Sequence, residues 1–378
     1  MKIGFDAKRL FFNTTGLGNY SRTLVQDLAS TYPQQEYHLY TPREGHIPAA
    51  EAFTNNAAFR VHKPGGKAFS ALWRSYSIVP DLRRDGIDLY HGLSNELPLY
   101  LDRSGIKSIV TIHDLIFRVY PETYSFSERL IYDLKFRYAC RHADRVVAIS
   151  ACTKADIVRF YDIDPARIDV IFQACNPLYY QLRNDAENQA VALRYQLPPA
   201  YLLYVGTIEA RKNLKGLLEA YALLPSDTKQ PLVIVGKGGA YREEAMALAR
   251  QKGIAGDLVW LDRMQENTHL QSVYQMASAL IYPSFYEGFG LPVAEALFCR
   301  TPVITGNTSS LVDAGGPASL YIDPNSPEQI AAAIQQVLGN EALAGHMRDA
   351  GYAYAQQHFT GSTATARMMD CYERTLQQ

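Results

Sequence analysis

Cysteine is scarce and poorly placed for cross-linking: Cys140, Cys152, Cys175, Cys299 and Cys371 are odd in number, widely spaced and contain no C-x-x-C. That pattern argues against a disulfide framework or a structural zinc and points to a reducing cytoplasm. No run of 18 or more apolar residues occurs, so no transmembrane helix is expected. The opening MKIGFDAKRL has no apolar core followed by a small-residue cleavage site, so no secretory leader is expected. An excess of one charge is also missing: 37 Lys and Arg face 38 Asp and Glu, a formal charge of −1. That balance excludes a generically basic nucleic-acid binder. Repeats of 20–50 residues and low-complexity tracts are absent as well.

What the chain does have is length and apolar content. Its 378 residues, 47% of them hydrophobic, are enough for two or three domains with substantial cores. Charge is uneven along it: residues 1–184 carry 23 basic and 19 acidic groups, a net of +4, and residues 185–378 carry 14 and 19, a net of −5. A mildly positive N-terminal lobe could face an anionic partner, or the asymmetry could be no more than that of solvated faces.

Short apolar runs alternate with amphipathic stretches throughout. The first half shows strand candidates at Lys2–Asp6, Tyr37–Tyr40, Phe59–His62, Asp88–His91, Ser108–His113, Arg145–Ile149 and Asp169–Phe172. Helix candidates lie between them at Asn19–Ser30, Phe69–Arg84, Ser127–His142 and Ala151–Tyr161. The polar stretch from Gln181 to the Pro198–Pro199 pair reads as a domain linker. Beyond it the rhythm restarts with YLLYVG, PLVIVG, DLVWL, SALIYP, TPVIT and ASLYI. Strands alternating with 10–15-residue helices predict parallel sheets covered on both faces. The expected fold class is α/β, with two doubly wound Rossmann-like domains, 1–180 and 200–357, facing each other across a cleft, and a final helix at 358–378.

The densest motif runs from Pro283 to Thr305, PSFYEGFGLPVAEALFCRTPVIT. A strand enters a turn at Glu287-Gly288-Phe289-Gly290, and a helix starts around Pro292. Unpaired N–H groups at such a turn and helix start favour a phosphate. Glu295, separated from Glu287 by seven residues, would lie deeper along the same face, where a carboxylate can accept two ribose hydroxyls. The plain alternative is a glycine-rich loop with two solvated glutamates. Arg211 and Lys212 follow the strand Tyr201–Gly206 and could neutralise a diphosphate, although composition alone leaves them as surface charges. His113 and Asp114 close another strand, where a histidine either points into a ligand crevice or orients a loop. Gly16-Leu17-Gly18 is a G-x-G whose third glycine position is Ser21, and no ribose-binding acid follows the next strand. That is weak support for an NAD-dependent oxidoreductase. Asp162-Ile163-Asp164 has the look of a metal-binding D-x-D but sits in a helix-to-strand loop, where capping is the expected role.

Taken in order, G-L-G-N-Y, T-I-H-D-L-I-F, V-G-T-I-E-A-R-K-N-L and P-S-F-Y-E-G-F-G-L-P resemble the signature set of retaining GT-B glycosyltransferases, specifically glycosyltransferase family 4. The resemblance covers nearly the whole chain. It implies GT-B architecture with the last helix returning to the N-terminal domain, which would bind the acceptor, while the second domain binds a nucleotide sugar. In its terms Arg211 and Lys212 hold the donor diphosphate together with the Gly288, Phe289, Gly290 and Leu291 amides. Glu295 binds ribose, Glu287 and His113 reach the sugar, and Gly16 and Gly18 border the acceptor and approach the phosphates. No cofactor and no metal are implied. The set looks most like bacterial polysaccharide mannosyltransferases, so GDP-mannose is the first donor expected and a UDP-hexose the second, with the base against backbone near Gly236–Gly238 and Leu261–Met264. The acceptor would be a glycan or a polyprenyl-linked one, and the chain would work in the cytoplasm or on the inner face of the membrane. A non-catalytic nucleotide-sugar-binding protein would keep Glu295 and the cations without turnover. QACNP at Gln173–Pro177 and HFTGST from His358 depart from the family's usual turn and pre-terminal segment. In the N-terminal half, Gly66–Arg84 interleaves Lys67, Arg74, Arg83 and Arg84 with an apolar stripe, Phe69, Leu72, Trp73 and Tyr76. At helical spacing that stripe is a core face or a membrane contact.

Overall fold

The computed structural model of the chain describes residues 1–43, 45, 47–65, 72–262, 264 and 266–378. They form two compact units, Met1–Ala174 with Gly361–Gln378, and Cys175–Thr360.

The first unit is built on strands β1 (Lys2–Asp6), β2 (Glu36–Tyr40), β3 (Phe59–His62), β4 (Leu89–Gly92), β5 (Lys107–Ile112), β6 (Arg145–Ala148) and β7 (Ile168–Val170). Their order is β3-β2-β1-β4-β5-β6-β7, with every pairing parallel. Ile3 is in register with Tyr37 on one side and Leu89 on the other. The second unit carries β8 (Leu202–Val205), β9 (Leu232–Val235), β10 (Leu258–Leu261), β11 (Ala279–Tyr282), β12 (Val303–Gly306) and β13 (Leu320–Ile322). Here the order is β10-β9-β8-β11-β12-β13, again all parallel. Runs such as LLYV, LVIV and ALIY are buried along their whole length. Helices on both faces of a parallel sheet demand that pattern, and it is why these strands read as continuous apolar runs. In each sheet the winding reverses once, between β1 and β4 and between β8 and β11. The loops after those strands diverge and leave room for a ligand beyond the strand C-termini.

Four local expectations change. The helix expected from Asn19 spans Gly16–Thr31, and a short helix, Lys8–Phe12, comes between it and β1. Asn13 makes this corner by accepting from the Thr15 N–H (2.8 Å) and the Gly18 N–H (3.1 Å). The glycines therefore lie inside the first helical turn. The stretch read as a linker contains the helix Asp185–Tyr195, closed by a capping box between Asn184 and Glu187 and belonging to the second unit. Arg183 N–H and carbonyl both bond to Gln275 there, which anchors the helix entry.

The terminal segment opens with the end of one helix, Glu341–His358, before a second, Gly361–Gln377, begins. This second helix lies in the first unit and buries Met368, Met369, Cys371 and Tyr372 in its core. The Tyr372 hydroxyl meets His91 Nδ1 at 2.7 Å.

In the described part of the stripe, 72–84, the helix does not keep one regular α-helical spacing. Residues 66–71, with Lys67 and Phe69, lie outside the described residues. A wide π-type turn, Trp73–Ser77, precedes the helix Ile78–Arg84. Trp73 is buried, with its Nε1–H on Asp81 at 2.7 Å, whereas Leu72 and Tyr76 are exposed. Arg74 is buried in ion pairs with Asp6 (2.6 Å) and Glu96. Arg83 donates to the Ser104 and Arg103 carbonyls, and Arg84 pairs with Asp81 and Asp85. Arg74, Arg83 and Arg84 thus each have partners inside the unit.

Candidate active site

The loops after β8 and β11, on either side of the second sheet's reversal, bring Arg211, Lys212 and Glu287 together. A turn at Ala210–Lys212 follows β8 and ends at Asn213, whose φ of 55° puts it in the left-handed region that asparagine tolerates. The Asn213 side chain is buried. Its Oδ1 accepts from the Gly216 N–H, capping the next helix, and its Nδ2 donates to the Pro283 (3.2 Å) and Pro324 (2.6 Å) carbonyls. One side chain thus ties together the loops after β8, β11 and β13. The Phe285 N–H donates to the Arg211 carbonyl at 2.9 Å, clipping the β11 loop to the β8 loop.

Glu287 sits between two cations. Arg211 Nη1 is 2.9 Å from Oε2, and Lys212 Nζ is 3.1 Å from Oε1. Lys212 also donates to the Tyr282 hydroxyl (2.6 Å), which donates to Glu287 Oε1 (2.9 Å), closing a ring. Ser309 accepts from the Glu287 N–H and Ser310 donates to its carbonyl, so the backbone is held as well. Arg211 further pairs with Glu209 (2.5 Å) and donates to the Tyr286 carbonyl. All three charged groups of the ring are largely buried, with side-chain exposures of 10–13%. Burial pushes the Glu287 carboxyl up, but Lys212 and Arg211 more than offset it and hold it below the usual carboxylate range. Burial likewise works against the Arg211 charge, and Glu287 and Glu209 outweigh it, so its proton is held more tightly than usual. The two cations and Glu287 sum to +1, and the more exposed Glu209 on Arg211 brings the four charges to zero, so both cations are already partnered by carboxylates here.

Glu295, on the helix Leu291–Phe298, lies in different company. Its Oε2 accepts from the Tyr274 hydroxyl at 2.9 Å. Burial pushes its carboxyl up to about 7, only partly countered by Tyr274 and the field of Lys212. Arg211 and Lys212 make their carboxylate contacts within the site to Glu287 and Glu209, not to Glu295. Between the two glutamates the chain turns through Gly288 and Phe289, whose ring is buried against Phe359 (5.2 Å between centroids). Gly290 has φ 103° and precedes Leu291, the first helical residue, without a side-chain cap. A Cβ at Gly290 would be strained in that conformation and would press on Leu311 at 3.0 Å.

The remaining predicted residues lie in the first unit. His113 closes β5 and is buried. Its Nε2 lies 2.9 Å from the Leu93 carbonyl, and its N–H donates to Asn95 Oδ1 at 2.9 Å. A carbonyl only accepts, so Nε2 carries the hydrogen and Nδ1 is left as the acceptor. Burial lowers its pKa to about 4, so the ring is neutral at pH 7. The Tyr20 ring stands edge-on to it at 4.7 Å. Gly16 has open space where a Cβ would stand, whereas a Cβ on Gly18 would fall 1.8 Å from the Asn13 carbonyl oxygen. Gly18 is thus demanded by the corner itself.

Asp162 ends a helix with φ 54°, and Asp164 caps the turn Pro165–Arg167 through the Ala166 N–H, which are the capping roles expected of them. Among the described residues no group of three or more His, Cys, Asp or Glu is placed to hold a metal. Of the segments expected near a base, Gly236–Gly238 follow β9, while Arg263 within Leu261–Met264 lies outside the described residues. Sequence reasoning missed Tyr282, Asn213, Tyr274 and the Ser309–Ser310 pair. Asn213 alone left a trace, as an asparagine directly before a helix.

Two family models match the chain, one described as Glycosyltransferase Family 4 over residues 14–177 and one as Glycosyl transferases group 1 over residues 185–354. The O-antigen chain mannosyltransferase B of Escherichia coli is 31% identical over 391 residues, an alignment covering 99% of this chain and 100% of that protein. The serotype-specific mannosyltransferase WbdA of Escherichia coli is 26% identical over 76% of this chain, which spans 36% of that longer protein. Among solved structures, Anabaena Alr3699/HepE in complex with UDP superposes with a TM-score of 0.76 at 15% identity, covering 99% of this chain and 100% of that one.

Proposed function

This chain belongs to glycosyltransferase family 4, and on that premise we propose that it transfers a mannosyl group from GDP-mannose to a growing surface polysaccharide, retaining the anomeric configuration. The observation that carries the reading is the buried ring of Arg211, Lys212 and Glu287 at the reversal point of the second sheet, which gathers two cations beside the glutamate turn. In this reading the two cations and the amides of Gly288–Leu291 take the diphosphate, Glu295 takes the ribose, and Glu287 takes sugar hydroxyls with the lone pairs its partners leave open. His113 is assigned to a sugar hydroxyl through Nδ1.

As the bond between the anomeric carbon and the phosphate oxygen breaks, its electron pair goes to that oxygen, where Arg211 and Lys212 meet the growing charge. Preorganised donors of this kind are worth roughly 3–4 kcal/mol each. The acceptor hydroxyl oxygen bonds to the same face of the anomeric carbon, and its proton passes to the leaving phosphate. Two cations and a helix start supply the charge that a divalent ion would otherwise supply, so the reaction is expected to run without metal. A glycan or polyprenyl-linked acceptor at the inner face of the membrane completes the reading.

The choice of mannose rests on the full-length relative, itself a mannosyltransferase. A UDP-hexose donor is the second reading, favoured by the UDP bound to the HepE neighbour. Calorimetry of the purified protein with GDP and UDP separates them: tighter GDP binding, and transfer from GDP-mannose giving an α-linked product by NMR, are expected. Tighter binding of UDP would reverse the donor assignment.

A further inference from the structure

Tyr282 is the last residue of β11, where the strand meets the glutamate turn. Its backbone is held by Thr305, its partner in register on β12, whose hydroxyl donates to the Tyr282 carbonyl at 2.9 Å. The side chain is fully buried, so filling space there would need only phenylalanine. A buried hydroxyl costs free energy unless it is hydrogen-bonded, and this one has two charged partners. It accepts from Lys212 Nζ at 2.6 Å and donates to Glu287 Oε1 at 2.9 Å. Burial, with the Glu287 carboxylate beside it, pushes its ionisation far up, so it stays a neutral phenol between two charges.

The two partners depend on that hydroxyl unequally. Glu287 is also held by Arg211 at Oε2, by Lys212 at Oε1, and through its backbone by Ser309 and Ser310. Lys212 reaches the ring on a flexible stem that passes the bare Gly206. A Cβ there would stand 3.3 Å from Lys212 Cδ and 3.4 Å from its Nζ. An ammonium has three N–H groups, and Tyr282 and Glu287 engage two of those on Lys212. With Glu287 alone to direct it, the ammonium could rotate about a single contact.

We infer that Tyr282 is a positioning residue, an assignment that rests on the ring being the diphosphate site. Its hydroxyl and Glu287 together aim the third N–H of Lys212 at the donor diphosphate. The effect of Tyr282 on transfer therefore passes through Lys212. Charge on the leaving phosphate grows as the bond breaks, so a misaimed ammonium costs more in kcat than in donor binding.

Calorimetry with GDP and UDP gives an affinity for each variant of the whole protein. Slow hydrolysis of GDP-mannose and UDP-glucose, in which water replaces the acceptor, gives a kcat. Tyr282→Phe removes one oxygen and keeps the ring that fills the core, so it should fold. It should weaken the better-bound diphosphate about threefold and lower kcat about tenfold. Neither loss should deepen when Lys212→Ala is already present, and both should appear in full beside Arg211→Ala. Tyr201→Phe removes another buried hydroxyl of the same unit, bonded to the Val273 carbonyl at 2.7 Å, and should leave affinity and kcat unchanged. Where Lys212→Ala is impaired, an unchanged Tyr282→Phe overturns the assignment and leaves the diphosphate site standing. Losses that multiply with those of Lys212→Ala, or that are larger in affinity than in kcat, do the same and make Tyr282 a general support of the strand end. Unchanged affinity in Lys212→Ala, or binding of neither diphosphate, overturns the diphosphate site itself and the assignment with it.

Discussion

Glu287 and Glu295 stand on opposite sides of one turn and hold their protons differently. Glu287 is kept charged by Lys212 and Arg211, whereas burial keeps a proton on Glu295 up to about pH 7. A folded carboxyl that titrates near 7 and an unfolded one near 4.5 bind different numbers of protons between those values. Stability is therefore unaffected by Glu295 below the lower value and falls as pH rises through the window. Glu295→Gln removes that penalty, so its melting temperature relative to the unmodified protein should rise by several degrees between pH 5 and pH 8 in thermal melts. A difference that does not move with pH would mean that Glu295 is already ionised in the folded protein.

At the neighbouring ring, Arg211→Ala and Lys212→Ala should each lower kcat by on the order of 100-fold, because their contacts strengthen as charge reaches the phosphate. A normal kcat with only a raised KM would show that they bind donor and transition state alike. Activity should persist in EDTA, and loss that magnesium restores would count against metal-free transfer.

At the scale of elements, the corner after β1 shows how a motif can be seen without its job being visible. G-L-G is conspicuous in the sequence, yet its two glycines differ. Gly16→Ala should change stability by less than about 0.5 kcal/mol, because a methyl there meets open space. Gly18→Ala should cost at least about 2 kcal/mol, because its methyl would strike the Asn13 carbonyl and prise the corner open. Urea titrations of both variants check the contrast, and equal stabilities would mean the corner relaxes freely. The helix Asp185–Tyr195 teaches the complementary lesson. Its polar composition reads as a linker, but Asn184 and Glu187 are spaced as a capping box, a local signal that outweighs composition.

For the whole molecule, the decisive feature is that the last 18 residues belong to the first unit. A chain ending at Thr360 would strip Met368, Met369, Cys371 and Tyr372 from that core. Each large apolar side chain contributes roughly 1.5–3 kcal/mol against a typical domain stability of about 5–15 kcal/mol. The truncated chain should lose the unfolding transition of the first unit in calorimetry while Cys175–Thr360 keeps its own; two intact transitions would show that the helix is dispensable.

The sequence by itself determined the alternation of strands and helices, most strand limits to within a residue or two, and the residues of the glutamate turn. These follow from local patterns: doubly covered parallel strands must be apolar throughout, and a turn into a helix needs glycine and tolerates proline. Only the tertiary structure decided which charges meet. Lys212 finds its hydroxyl partner 70 positions away, because β8 and β11 become neighbours through strand order alone. Arg74 was legible as a basic residue beside an apolar stripe, yet it lies buried between Asp6 and Glu96. Periodicity marks a face of a helix, but what covers that face depends on residues the chain brings there from elsewhere.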